Sequence, residues 1–231
     1  MIPLKAHNPA RTAPIVTVGL MALNVLAFIY EVGLPPEGQE SLVRELGLIP
    51  AEFTTGADLG SEVPLPATLL SSMFLHAGLL HLLGNMLYLW VFGNNVEDAT
   101  GHLGFLVFYI ACGVAAAASQ IAATPFSDIP LIGASGAIAG VLGAYMILYP
   151  GSRVLTLVPV FIFLRLMYLP AVVVLGLWFL YQILLSRAES PDGGGIAFFA
   201  HIGGFVAGML LIWIFRRPRA QRERRTSSTW E

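Results

Sequence analysis

The chain has 231 residues and a net charge of −2, with 56% of its residues hydrophobic and 11% charged, where a water-soluble domain carries roughly 25% charged residues. That excludes a soluble globule. The single cysteine, Cys112, lies inside an apolar stretch, which excludes disulfides and thiolate-rich metal sites within one chain.

Taken in chain order, residues 1–13 read as a short tail bearing Lys5 and Arg11. Apolar stretches then follow at 14–33, 69–93, 102–123, 133–149, 168–186 and 197–215. Most reach the roughly 17 to 25 residues that cross a hydrocarbon core about 30 Å thick. They predict an all-α polytopic membrane bundle of six transmembrane helices, because a spanning helix satisfies its backbone polar groups internally. The first stretch is long and lacks a small-x-small cleavage site after it, so it reads as a retained helix and not as a signal peptide. Between the first two stretches, residues 34–68 form a Pro-rich, acidic connection. Its part from Leu46 to Phe53 mixes apolar and turn residues and is expected to pack partly on the bundle or in the interface. Residues 151–167 are hydrophobic but interrupted by Pro159 and bounded by Arg153 and Arg165, which predicts an interfacial segment and not a seventh span. Residues 216–231 are a basic tail.

Charge distribution sets the expected topology. Ten of the 12 basic residues fall on one side of a six-span arrangement: Lys5, Arg11, Arg153, Arg165, Arg216, Arg217, Arg219, Arg222, Arg224 and Arg225. The positive-inside rule makes that side cytoplasmic, with both termini inside. The arginine tail reads as a topology anchor and anionic-lipid contact, and no nucleic-acid partner is assigned to it. The other side receives acidic residues that include Glu31, Glu37, Glu40, Glu45 and Glu52.

Polar groups within a membrane are costly, so His76, His81, Asn85, Ser135 and His201 each require a reason. Singly, each has a structural explanation: a lone serine bonds back to its own helix, and a lone histidine bridges helices. Together they fall at one level. The second, fourth and sixth stretches all run inward from the outer face, placing His81, Asn85, Ser135 and His201 near that face. Gly136, Gly140 and Ala144 recur at four-residue spacing, as do Ala200, Gly204 and Gly208, and such faces let helices approach closely. Ser135 and His201 border that contact. A serine hydroxyl becomes a nucleophile when a neutral histidine takes its proton, and the Gly133–Gly136 run at a helix start offers backbone N–H groups, including that of Ser135, to a developing oxyanion. His81 and Asn85, four residues apart on one helix face, are placed to donate to the same oxygen. No acidic residue is expected at this depth to orient His201, which predicts a Ser-His dyad.

These residues resemble the rhomboid intramembrane serine proteases along roughly residues 14–215. The matching motifs are His76-Ala-Gly-Leu-Leu-His81-Leu-Leu-Gly-Asn85, Gly133-Ala-Ser135-Gly and Ala200-His201-Ile-Gly-Gly, in the family's order. The resemblance implies Ser135 as nucleophile, His201 as general base, His81 and Asn85 as oxyanion-hole side chains, His76 as a structural or water-organising histidine, and Glu97 as a polar support at the inner end of span two. It implies cleavage of transmembrane protein substrates after small residues by a monomer in contact with membrane lipids, with no metal or organic cofactor. It also implies substrate entry between spans two and five. A compact chain with this topology looks like a bacterial inner-membrane protein, and the need of hydrolysis for water predicts that the site opens to the periplasmic or extracellular face. A catalytically inactive rhomboid-like protein that binds transmembrane clients is the alternative. Two positions depart from the pattern of some members: Ala67 and Thr68 replace a Trp-Arg pair, and Ala139 replaces an aromatic that stacks on the catalytic histidine. Another group must then hold His201.

Overall fold

The computed structural model describes residues 1–8, 10–59, 63–160, 163–186 and 197–218. The arginines at 219, 222, 224 and 225 and the rest of the tail from 219 onward lie outside the described residues. Helix α1 (Ile15–Gly33) is followed by the short helices α2 (Pro36–Leu46), α3 (Pro50–Thr55) and α4 (Leu65–Ser71), the last extended by a 3₁₀ turn to Phe74. Helix α5 (Leu79–Tyr88) continues through a five-residue π-helical stretch, Leu89–Gly93, into α6 (Asn94–Thr100). Helices α7 (His102–Ala123), α8 (Ser135–Leu148), α9 (Ala171–Ser186) and α10 (Phe198–Phe215) complete the bundle. Among the described residues α1, α7 and α10 are long and apolar enough to cross a membrane, the bent pair Leu65–Phe74 and Leu79–Thr100 raises that number to four, and α8 and α9 are shorter apolar helices.

Helix α8 occupies the centre. Every residue from Gly136 to Tyr145 is buried, so apolar side chains surround the helix on all sides, as expected of an inner helix in a bundle. Helices α7 and α10 pack against it. The outer helices turn apolar faces outward: Ile15, Leu26, Ile29 and Tyr30 on α1 and Leu210 and Ile214 on α10 are exposed, the surface that lipid covers. On its inner face α1 carries Thr17, Leu20, Asn24, Phe28 and Glu31, a stripe at helical spacing with a polar residue at every second turn.

Three features depart from the sequence reading. The expected second span over 69–93 is broken: α4 and its 3₁₀ turn meet α5 at 87°, so the continuous helix starts at Leu79 and runs to Thr100. Residues 75–78 form the break and place His76 outside helical structure. The fold is also not purely α. Residues Ile2–Ala6 form β1, and Arg153–Val160 and Phe163–Pro170 form β2 and β3, joined in an antiparallel sheet of order β1-β2-β3. Strands β2 and β3 carry Val154, Val158, Val160, Thr156, Phe163 and Tyr168, β-branched and aromatic residues that fit a pleated surface, and Pro3 sits on the edge strand β1, where a missing N–H costs least. Thirdly, the connection over 34–68 is largely helical among its described residues. The expected packing of Leu46–Phe53 on the bundle is seen, with Leu48 and Ile49 fully buried and Leu48 bridged to Leu131.

Candidate active site

Ser135 is the first residue of α8, so its amide is among the N–H groups that a helix start leaves without an intrahelical acceptor. His201 lies in the first turns of α10 and is 8% exposed. Their side chains meet, with Ser135 Oγ 2.7 Å from His201 Nε2. The approach depends on small residues. A methyl on Gly204 would collide with the Gly136 carbonyl oxygen, and one on Gly208 with the Gly140 carbonyl oxygen. Gly136 and Gly140 also lie against α7, where a methyl would overlap Ala116 and Cys112. Gln120 of α7 ties down the start of α10, its Oε1 accepting from the Ala200 N–H at 3.2 Å.

Across from this pair stand the residues of the broken span. His76 is buried, donates from Nδ1 to the Phe74 carbonyl at 3.3 Å and accepts at Nε2 from Asn85 Nδ2 at 2.9 Å. The Asn85 amide nitrogen carries two protons, of which His76 takes one. The His76 and His81 rings pack edge to face with centroids 5.1 Å apart. Gly133 adopts φ +117°, a conformation L side chains rarely take. The point where its methyl would sit is 2.8 Å from His81 Nε2 and 3.7 Å from Ser135 Oγ. The glycine therefore keeps open the space between the imidazole and the hydroxyl. A cavity of ≈ 20 Å³ adjoins Ser135, lined among others by Ser72, Ala116, Gly133 and Ala200, room for about one water.

The family model described as a rhomboid domain matches residues 66–218. The chain belongs to the rhomboid family. It is an integral membrane protein of helical rhomboid type. Among its relatives, the rhomboid protease GluP of Bacillus subtilis is 32% identical over 152 residues, 66% of this chain and 26% of the relative. Rhomboid protein 1, mitochondrial, of Saccharomyces cerevisiae is 31% identical over 169 residues, 68% of this chain and 44% of the relative. The presenilin-associated rhomboid-like protein, mitochondrial, of Homo sapiens is 31% identical over 151 residues, 63% of this chain and 36% of the relative. The chain thus spans less than half the length of each of these three.

Glu97 of this rhomboid chain is fully buried at the opposite end of the bundle. Its carboxylate accepts from Val16 N at 2.9 Å, Thr17 N at 2.8 Å, Thr17 Oγ1 at 2.6 Å and His102 Nδ1 at 2.6 Å. It thereby caps the start of α1, where an anion also meets the positive end of the helix dipole.

Three residues at the end of the bundle that holds Ser135 escaped the sequence reading. Glu31, expected on the outer side, is 4% exposed in the last turn of α1, and its Oε2 accepts from the His76 N–H at 3.1 Å. An acidic group does therefore reach this level, but it serves the break at His76 and not His201. His201 is contacted from α9, where Gln182 Oε1 lies 2.8 Å from His201 Nδ1 and the Trp178 ring is 5.8 Å from the imidazole, centroid to centroid. These two contacts stand where Ala139 offers no ring. Gln182 was detectable as the one carboxamide in the apolar run Ala171–Ser186, though no spacing rule tied it to His201. Of the two loop positions that depart from the family pattern, Thr68 is buried and turns its hydroxyl to the Leu65 carbonyl at 2.7 Å.

Proposed function

We propose that this rhomboid is an intramembrane serine endopeptidase that hydrolyses peptide bonds in or near transmembrane segments of membrane proteins. The observation that carries the reading is the 2.7 Å approach of Ser135 Oγ to His201 Nε2 at a glycine-lined helix contact. In the proposed reaction His201 takes the hydroxyl proton as Ser135 attacks the substrate carbonyl, then returns it to the leaving amine, and water repeats the cycle on the acyl-enzyme. The Ser135 backbone N–H, the second amide proton of Asn85 and His81 stabilise the oxyanion in the space that Gly133 leaves open. The substrate helix unwinds locally, because a helical carbonyl is already hydrogen-bonded and shielded.

The same reading takes residues 14–215 as a six-span protease domain that acts as a monomer among lipids, between short tails on the positively charged, inner side. Substrate enters laterally between α5 and α9. The relatives include a protein of Bacillus subtilis and others named as mitochondrial, so the site is assigned to the face opposite the arginines of whichever membrane holds the chain.

The test is labelling of the detergent-purified protein with a fluorophosphonate probe, together with cleavage of a model transmembrane substrate. Wild type labels and cleaves, while Ser135→Ala and His201→Ala do neither. A folded wild type that neither labels nor cleaves moves the client-binding, inactive alternative to first place.

A further inference from the structure

A neutral imidazole carries one proton, and only the tautomer with a bare Nε2 can accept the proton of Ser135. Gln182 is 5% exposed and presents its Oε1 to His201 Nδ1 at 2.8 Å. A carboxamide oxygen only accepts, so Nδ1 holds the proton and the Nε2 lone pair faces Ser135 Oγ. Trp178, four residues earlier and so on the same face of α9, borders the imidazole with an interplanar angle of 40° and limits its rotation. The environment accounts for an amide at this place. Apart from Tyr181 and Gln182 itself, the helix from Ala171 to Leu185 is apolar, and an ionised carboxylate at this place would be desolvated.

We propose that Gln182 is a positioning residue for the proteolysis inferred above: it fixes the Nδ1–H tautomer and the ring orientation of His201, doing with a neutral group what an acid does in a Ser-His-acid arrangement. The inference rests on that proteolytic reading. It makes the unit Ser135–His201–Gln182, its members on three different helices, α8, α10 and α9.

The test compares wild type with Gln182→Met and Gln182→Glu in detergent. Methionine matches glutamine in length and has no comparable acceptor, whereas glutamate, ionised or protonated, keeps an acceptor oxygen in place. Two readouts are taken: kcat and KM on a transmembrane substrate, and the ¹⁵N ring shifts of His201 in histidine-labelled protein, assigned by loss of the signal in His201→Ala. Expected are a fall in kcat of about 10- to 100-fold for Gln182→Met with KM unchanged, and recovery to within about threefold of wild type for Gln182→Glu. His201 should show the Nδ1–H tautomer in wild type and lose it in Gln182→Met. A wild-type kcat in Gln182→Met, equal damage in both variants, or an Nε2–H tautomer in wild type overturns the proposal. Failure of the proteolytic reading is distinguished in the wild type alone, which would then neither label nor cleave, and the positioning role falls with it.

Discussion

Gly204→Ala tests whether the helix contact sets the reacting distance. The new methyl would overlap the Gly136 carbonyl oxygen and lie 3.0 Å from the carbonyl carbon, with Ala116 Cβ 3.3 Å away on the other side. Carbon–oxygen contacts rest at about 3.3 to 3.6 Å and backbone cannot rotate aside, so α8 and α10 must part by about 1 Å. Ser135 adjoins Gly136, and His201 lies one turn before Gly204, so the 2.7 Å separation between Oγ and Nε2 lengthens past hydrogen-bonding range. A misplacement of about 1 Å costs about 100-fold in rate, or about 2.7 kcal/mol of barrier. The assay is kcat/KM on a transmembrane substrate together with the fluorophosphonate labelling rate, measured well below the melting temperature with helix content checked by circular dichroism. Gly176→Ala is the control: its methyl meets nothing within 4 Å, so it leaves the rate unchanged and stabilises by up to about 1 kcal/mol. A folded Gly204→Ala protein that labels at the wild-type rate would refute the reasoning.

Glu97→Ala strips the acceptor from two backbone N–H groups, the Thr17 hydroxyl and His102. At about 1 to 3 kcal/mol for each buried group left unpaired, the loss is about 3 kcal/mol or more. It is read as a lower thermal midpoint in detergent, with Ser135 labelling retained in the cold because the carboxylate lies at the far end of the bundle; an unchanged midpoint would show that the cap does not stabilise. Gly133→Ala combines a strained positive φ with a methyl pressed on His81. Cleavage should fall by about 100-fold or more, the cost of losing an oxyanion donor, and near-normal cleavage would mean that the oxyanion does not occupy this space.

Much of the bundle is legible because the bilayer constrains it. The stretches at 102–123 and 197–215 return almost unchanged as α7 and α10, since apolar length and helical backbone satisfaction leave few alternatives. Ser135 and His201 could be brought together from sequence because small residues at four-residue spacing report close helix contact. The remainder needed coordinates. The break at 75–78 is marked only by Gly78, and its stability depends on Glu31, some 45 residues away. The sheet joins residues 2–6 to a segment 150 residues later, a non-local pairing that hydropathy does not report. Gln182 belongs to no motif, and its partner lies on another helix.

The sheet has a mechanical consequence for α9. Strand β3 runs directly into the helix at Pro170, Ala171 N–H bonds to the Ser152 carbonyl at 2.8 Å and Val172 N–H to the Pro150 carbonyl at 3.1 Å, so the foot of α9 is clamped. Gln182 sits about 16 Å along the axis from that clamp, at 1.5 Å per residue. The helix is thus a lever with a fixed fulcrum, and a tilt of about 10° carries Gln182 about 3 Å while barely moving Ala171. A swing of that size carries Gln182 Oε1 out of hydrogen-bonding range of His201 Nδ1, now 2.8 Å away, so the contact that orients the imidazole is set by the pitch of one rigid arm anchored in the sheet.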